Sequence, residues 1–397
     1  MKTLTLTLIS LMALAYPVKA KETMMPEWMT EGPVLSDGAA SIEAPLEVVA
    51  SKLYVEVEVG GKPRRFVVDT GSPSMIDAAL VRELGLEVVG SSQGRDAHGA
   101  LITSDIVQTT VSLGGVAFHK VPMFVADFSA SEATRTFIGD GVLGSELLPL
   151  GAWQFDLKSA RLRFDTDATN LPRTARAVRT RLYGFGYPHA PILDVRFAKK
   201  ARSKAMFDTG SPTFFALSPA DLAGASEAGG IGKRQSGYGS PGGSLGGQAP
   251  DSEQLQVELK SLSIGKIELG RVASATRESS PSLIGARILE RFVVTFDSQS
   301  ETAYFDRYSE DSYDRPSFGF TLAFFDGISV AVVWDDSPAQ AAGLRPGMPL
   351  TSINGEATEL TSEGILRALA AMEGQEISLS WEGGSAKLTS KSRFLHE

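Results

Sequence analysis

The sequence predicts a mainly β protein that contains two homologous lobes and, after them, a small α/β module. Three observations favour this architecture. The chain has 40 glycines among 397 residues, which suits a fold with many tight turns. The pentapeptide Asp-Thr-Gly-Ser-Pro occurs twice, at residues 69–73 and 208–212. After residue 317 the pattern changes to short strands that alternate with helical segments.

The N-terminal residues have the features of a secretory signal peptide. Lys2 precedes an apolar run over residues 4–16, and residues 18–20 provide small side chains at a cleavage site. The run is too short to span a bilayer as a helix. We therefore expect cleavage after Ala20, a periplasmic or secreted protein, and no stable membrane insertion afterwards. Residues 21–41 lack periodicity and are predicted to be mobile, and the sequence leaves open whether they form an inhibitory pro-segment.

Composition limits the chemistry that the chain can carry. Its net charge of −9, without a basic stripe, argues against nucleic acid as the main partner. There is no cysteine, so disulfides, thiol chemistry and cysteine-based zinc sites are excluded. The four histidines have no metal-ligand spacing, and we expect neither a metal nor a cofactor.

The two pentapeptides belong to a longer internal duplication. Strand-like segments at 53–59 and 192–198 lead to Asp69 and Asp208 with the same spacing, at an offset of 139 residues. Hydrophobic-hydrophobic-Gly segments at 142–144 and 283–285 follow in the same order. Because these segments occur in the same order in both halves of the chain, the sequence predicts two lobes, at 42–170 and 180–308.

A pseudo-twofold pairing of the lobes would bring the two Asp-Thr-Gly-Ser turns face to face. Two carboxylates a few ångströms apart cannot both ionise easily, so Asp69 and Asp208 would share one proton. Such a pair can deprotonate a water molecule and protonate a peptide carbonyl oxygen. We predict that these two residues are catalytic.

The flanking residues of both turns have predicted supporting roles. The glycines allow main-chain N–H groups to approach the carboxylates, and the threonine hydroxyls could bind across the lobe interface. The serine hydroxyls could donate to the outer carboxylate oxygens, which would favour the ionised form and an acid optimum. The predicted support residues are Thr70, Gly71, Ser72, Thr209, Gly210 and Ser211.

These motifs resemble those of the pepsin/retropepsin-like aspartic peptidases. The matching elements are the heptapeptides at 66–72 and 205–211 and the two hydrophobic-hydrophobic-Gly segments. The resemblance implies a bilobal double-barrel fold, most similar to two compact bacterial retropepsin-like domains in tandem. It implies an aspartic endopeptidase acting on polypeptide substrates, and we expect a monomer because one chain has both turns. The alternative is an inactive periplasmic scaffold that binds peptides through the same fold.

Peptide binding is expected to occur by strand addition beneath mobile hairpins. The first flap candidate is Gly94–Ile106, with His98 and Gly99 at its tip and without the tyrosine that pepsin-like enzymes have there. His98 could cover the site or be an ordinary surface residue. The second candidate, Gly224–Gly247 around Tyr238, could be a long flap or a disordered insertion.

The C-terminal region resembles a PDZ domain of the bacterial type, over 315–392. The resemblance rests on Ala-Gly-Leu-Arg-Pro-Gly at 342–347 and on Ile-Asn-Gly at 353–355. Residues 363–372 are predicted to form an amphipathic helix and 376–381 a strand. The loop Phe318, Gly319 and Phe320 matches that family's carboxylate-binding loop, which implies binding of peptide C-termini. The alternative is a module that only packs on the peptidase.

Overall fold

The computed structural model describes residues 26–36, 40–95, 99–184, 186–199, 201–244, 247–311, 313, 315–392 and 394. The predicted signal peptide and His98 lie outside these ranges. The described chain is 50% strand and 17% helix, which confirms the mainly β class. Within the described ranges, no helix is long and apolar enough to cross a membrane.

The first repeat contains twelve strands and three helices. The strands are β1 (Val34–Leu35), β2 (Ser41–Pro45), β3 (Glu47–Val49), β4 (Lys52–Val59), β5 (Lys62–Val68), β6 (Met75–Asp77), β7 (Val88–Arg95), β8 (Leu101–Leu113), β9 (Val116–Ala126), β10 (Gly141–Leu143), β11 (Ala152–Asp156) and β12 (Arg161–Asp165). The helices are α1 (Glu27–Thr30), α2 (Ala78–Leu84) and α3 (Glu132–Ile138). Short 3₁₀ helices are Phe128–Ala130, Ser145–Leu150 and Ala168–Asn170.

The second repeat follows the same plan with fewer helices. Its strands are β13 (Val178–Tyr183), β14 (Ile192–Arg196), β15 (Arg202–Asp208), β16 (Phe215–Leu217), β17 (Ile231–Gly239), β18 (Gly243–Ser244), β19 (Gly247–Gln248), β20 (Ser252–Ile264), β21 (Ile267–Thr276), β22 (Ser282–Gly285), β23 (Phe292–Asp297) and β24 (Thr302–Arg307). Its helix is α4 (Pro219–Glu227), and Ala286–Glu290 is a 3₁₀ helix.

The C-terminal module has six strands and two helices. The strands are β25 (Phe320–Phe324), β26 (Ile328–Trp334), β27 (Ser352–Ile353), β28 (Glu356–Ala357), β29 (Glu376–Trp381) and β30 (Gly384–Thr389). The helices are α5 (Pro338–Ala341) and α6 (Ser362–Met372), so the helix and the strand predicted at 363–372 and 376–381 are confirmed.

A shared sheet joins the two repeats. Six of its strands run from one edge in the order β2-β12-β11-β23-β24-β13, and each repeat contributes three of these six. At the junction, β11 and β23 are antiparallel, and Gln154 lies opposite Thr295 with a hydrogen bond of 2.9 Å between their side chains. These two residues are equivalent in the duplication, at the offset of 141 found for the hydrophobic-hydrophobic-Gly segments. The pair therefore lies where a pseudo-twofold axis relates the repeats.

Alternating side chains explain why the strands pack as they do. In β4, Val55, Val57 and Val59 are buried while the intervening Glu56 and Glu58 are exposed. The valines join one hydrophobic cluster that extends through both repeats, while the C-terminal module has a separate core. Packing of one cluster across both repeats holds the two Asp-Thr-Gly-Ser turns in fixed positions.

The N-terminal segment differs from its prediction. Within 21–41, predicted to be mobile, Trp28 is buried and contacts Phe124 edge-on. Val34 and Leu35 pair with β9, and Glu31 forms an ion pair with Lys120. The prediction is therefore corrected for residues 26–36, because one buried aromatic residue and a short strand attach them to the first repeat.

The glycine-rich segment is also ordered over residues 224–244, which corrects the prediction of a mobile flap or a disordered insertion there. Its strand β17 lies between β20 and β26, and thus connects the second repeat to the C-terminal module. A Cβ atom on Gly237 would lie 2.7 Å from the Trp334 ring, and one on Gly239 would lie 1.9 Å from the Ala331 carbonyl oxygen. These glycines permit close approach of the two strands.

The C-terminal module also contacts the first repeat, through α3. The Glu132 carboxylate accepts hydrogen bonds from the backbone N–H and the hydroxyl of Ser362, at 3.1 and 2.8 Å. Phe137 packs edge-on against Phe324 at the end of β25. The module therefore bridges the two repeats.

Candidate active site

Each Asp-Thr-Gly-Ser turn begins at the end of a buried strand. Strand β5 leads to Asp69 and lies parallel to β10, and β15 ends at Asp208 and lies parallel to β22. The hydrophobic-hydrophobic-Gly segments that contain β10 and β22 are therefore neighbours of their own aspartate turns. Equivalent backbone bonds fix both: Ser145 N–H donates to the Ser72 carbonyl at 3.1 Å, and Ala286 N–H donates to that of Ser211 at 2.9 Å.

The glycines of these segments are required by close contact. A Cβ atom on Gly144 would lie 2.3 Å from the backbone nitrogen of Ser74, and one on Gly285 would lie 2.1 Å from the Thr213 carbonyl oxygen. No side chain fits at such distances, because real Cβ atoms stay beyond about 3 Å from other heavy atoms. The pattern found in the sequence thus has a steric cause.

The two threonines interlock across the junction of the repeats. The Thr70 hydroxyl donates to the Phe207 carbonyl at 2.7 Å and accepts from the Thr209 N–H at 3.1 Å. The Thr209 hydroxyl donates to the Val68 carbonyl at 2.7 Å and accepts from the Thr70 N–H at 3.0 Å. Both side chains are buried, so each hydroxyl satisfies polar backbone groups of the opposite repeat.

The carboxyl groups of Asp69 and Asp208 face each other. A Cβ atom on Gly71 would lie 2.5 Å from the Asp208 carboxyl carbon, and one on Gly210 would lie 2.4 Å from that of Asp69. Each turn glycine thus packs on the carboxyl group of the other repeat. Gly71 N–H also donates to the Asp69 carboxylate at 2.9 Å, and Ser211 N–H donates to that of Asp208 at 3.1 Å.

Burial and the neighbouring Asp69 carboxylate raise the pKa of Asp208 to about 7. The Lys52 ammonium and the Gly210 N–H act in the opposite direction but are outweighed. Asp208 therefore holds a proton between about pH 4, where an ordinary carboxyl group ionises, and about pH 7.

The serine hydroxyls differ from their predicted role. Ser72 Oγ donates to the Pro73 carbonyl oxygen at 3.2 Å, and Ser211 Oγ forms a hydrogen bond of 2.9 Å with Thr213 Oγ1. Neither hydroxyl is hydrogen-bonded to the carboxyl group of Asp69 or Asp208. The hydrogen bonds from which an acid optimum is predicted are therefore absent, and the pKa of Asp208 is raised rather than lowered.

Sequence reasoning missed Lys52, which reaches the pair of turns from the start of β4. Its ammonium donates a hydrogen bond to the Gly210 carbonyl oxygen in the second repeat. The equivalent position in the second repeat, 139 residues on, is Pro191. This difference between the repeats is the sequence signal for Lys52. If the position had only a structural role, both repeats would be expected to have an uncharged residue there.

Glu146 is a second group that the sequence did not reveal. Its buried carboxyl group accepts hydrogen bonds from the Ser74 N–H and hydroxyl and, at 2.8 Å, from the Tyr187 hydroxyl. Burial raises the pKa of Glu146 to about 7. Tyr187 in turn packs edge-on against Trp28, so the N-terminal segment, the first aspartate turn and the second repeat meet here.

The predicted flap residues have different environments. Gly99 lies just before β8, in the β7–β8 hairpin, with φ of 85°. Tyr238 is 53% exposed on β17, where its neighbours across the sheet are Glu253 and Val333. The structure thus places Tyr238 on the strand that carries the C-terminal module.

The loop predicted to bind carboxylates lies at the start of β25. Phe318 and Phe320 are buried in the module's core, and Gly319 has φ of 84°. Gly319 N–H donates to the Ser317 hydroxyl at 3.0 Å, so this N–H already has a partner in the chain. Among the described residues, no cluster of three or more His, Asp or Glu side chains is arranged to hold a metal ion.

Comparison with protein families matches residues 55–147 to a family described as aspartyl protease. The matched part includes the first aspartate turn and the segment that ends at Gly144. No curated protein matches the chain. The match thus supports an aspartyl protease family for the first repeat.

Proposed function

We propose that the chain is an exported, monomeric aspartic endopeptidase in which Asp69 and Asp208 activate a water molecule. The observation that carries the proposal is the reciprocal packing of each turn glycine on the carboxyl group of the other repeat. The threonine interlock holds this arrangement within a single chain. Export rests on the signal-peptide features of residues 1–20.

The reaction needs a single proton shared by the two carboxyl groups. Asp69 takes a proton from water as the water oxygen attacks the peptide carbonyl carbon, and Asp208 gives its proton to the carbonyl oxygen. The resulting tetrahedral diol breaks its C–N bond when Asp69 passes its proton to the amine. A hydroxyl proton of the diol then returns to Asp208, so the products are an acid and an amine and the pair is restored.

The pH dependence tests this assignment. Because Asp208 must hold its proton and its pKa is raised to about 7, we expect the rate to fall as pH rises through about 7. The measurement is the initial rate of cleavage of a denatured, fluorescently labelled polypeptide over a range of pH.

A peptide with a hydroxyl-bearing mimic of the tetrahedral diol should inhibit competitively. Unchanged activity at saturating mimic would argue against the proposed reaction.

We further propose that the C-terminal module is of the PDZ type and binds peptide C-termini. The left-handed backbone of Gly319 between two buried aromatic residues supports a loop with convergent N–H groups. A ligand carboxylate would displace the Ser317 hydroxyl from the Gly319 N–H. Charge-assisted hydrogen bonds favour a free carboxylate over a neutral amide. Titration with a hydrophobic peptide should therefore show binding about tenfold tighter than with its C-terminally amidated form. Equal affinities would exclude this binding mode.

A further inference from the structure

Two cationic side chains, one from each repeat, lie close to Asp208. Lys52, from the first repeat, crosses the junction and donates to the carbonyl of Gly210, whose Cα packs against the Asp69 carboxyl group. The Lys52 ammonium also acts electrostatically on Asp208. Its side chain is therefore held beside the second aspartate turn, and Lys52 is only partly exposed.

Arg277 approaches from the second repeat. It follows β21, and its guanidinium donates to the Pro281 carbonyl at 2.6 Å and to the Ser279 hydroxyl at 2.7 Å. These bonds fix the guanidinium against the short connection that leads into β22, the strand beside Asp208. Burial lowers the pKa of Arg277, while the nearby Asp208 opposes that change. Arg277 and Lys52 thus both act electrostatically on the Asp208 carboxyl group.

Neither cation forms a close ion pair, and among the described residues the only charge that both face is the one that Asp69 and Asp208 share. Within the described ranges, no carboxylate forms an ion pair with Lys52 or Arg277. Other poorly exposed arginines do have such partners: Arg163 pairs with Asp156 at 3.0 Å, and Arg173 pairs with Asp306. Partly buried cations are stabilised by an opposite charge. When Asp69 and Asp208 share one proton they carry a single negative charge, so the two cations leave an excess positive charge beside the reacting groups, which favours an anionic ligand.

We infer that Lys52 and Arg277 select peptides with an acidic side chain next to the scissile bond. The inference rests on the proposed function, since it names the substrate class of that site. Aspartate and glutamate side chains ionise above about pH 4, whereas lysine and arginine stay charged well beyond neutrality. Asp208 holds its proton up to about pH 7. A broad pH range therefore exists in which the substrate side chain is charged and the catalytic pair retains its proton.

The test is a cleavage map of the full chain acting on a mixture of denatured proteins at about pH 5 to 6. Mass spectrometry identifies the bonds cut, and we expect Asp and Glu to be enriched at one of the two residues that form each cut bond. Synthetic peptides based on the best site, with Glu or its neutral isostere Gln, then give kcat/KM ratios. The expected Glu-over-Gln preference is about tenfold.

Variants assign the preference to the two cations. Lys52→Met and Arg277→Met should each reduce the Glu-over-Gln ratio several-fold, whereas Lys52→Arg and Arg277→Lys should retain most of it. Lys266→Met, at the exposed turn between β20 and β21, is the matched control and should leave the ratio unchanged. If a Met variant does not fold, the Glu-over-Gln ratios of the native chain and of the two charge-retaining variants still test the inference.

The outcomes separate the two proposals. If the native chain cuts peptides with no preference for Glu over Gln, the inference is overturned while the proposed function stands. The same holds if Lys52→Met and Arg277→Met shift only the upper pH limit of activity and leave the ratio intact, because the cations would then act only on Asp208. If the native chain cuts nothing, the proposed function fails and the inference fails with it.

Discussion

Replacing Asp69 or Asp208 by Asn should lower kcat by about four orders of magnitude. Asparagine keeps the shape of the side chain but can neither take a proton from water nor hold the shared proton. Because the two carboxyl groups act as a unit, either substitution alone should remove nearly all activity. The measurement is the single-turnover rate of peptide cleavage, together with the midpoint of thermal unfolding.

Stability should respond differently from activity. Between the ordinary carboxyl pKa and about 7, folded Asp208 binds more protons than unfolded Asp208, so its contribution to stability falls as pH rises through that range. Asp208→Asn removes this penalty, and the variant should be at least as stable as the native chain at about pH 8.

Asp105→Asn, on the exposed side of β8, is the matched control for the activity measurement and should retain full activity. Substantial activity in Asp69→Asn would favour a different catalytic group, and a native chain that binds peptides without cutting them would favour a scaffold.

The parts of the fold predicted most accurately are those with a strong local pattern. The segment 53–59 became β4 (Lys52–Val59), and the segment 363–372 became α6 (Ser362–Met372), each within one residue. Alternating burial in the first and an apolar stripe in the second are properties of the local sequence. The duplication added long-range information, because equivalent residues such as Gln154 and Thr295 meet where the repeats join.

The errors involve contacts whose partners are distant in the sequence. Glycines in β17 could indicate flexibility or close packing, and only the position of β26, some ninety residues later, decides between them. The hydroxyl of Ser211 could donate to Asp208, but Thr213 offers a nearer partner once the turn has its final shape. Lys52 has a long side chain that can reach several sites, so the strand pattern could not show that it crosses to Gly210.

The threonine interlock should be the most stability-sensitive feature of the site. Thr209→Val keeps the volume of the side chain but leaves the Val68 carbonyl and the Thr70 N–H without partners in a buried environment. Each buried unsatisfied group costs about 1–3 kcal/mol, so the two together should lower the free energy of unfolding by about 2–6 kcal/mol. Thr70→Val should cost a similar amount, because its two hydrogen bonds are the symmetry-related ones.

Activity should fall with this loss of stability, and by more than the loss of folded protein explains. The interlock sets the spacing of the two aspartate turns, and a displacement of about 1 Å between catalytic groups can cost about 100-fold in rate. Urea unfolding and kcat, both measured where the variant remains folded, separate the two effects. Thr358→Val is the matched control, because the partly buried Thr358 hydroxyl makes a single bond, to the Leu350 carbonyl in the C-terminal module. It should cost about 1 kcal/mol and leave kcat unchanged. If Thr209→Val lowered the free energy of unfolding and kcat no more than the control does, the interlock would not be what positions Asp69 and Asp208. The shared sheet at Gln154 and Thr295 would then have to position them alone.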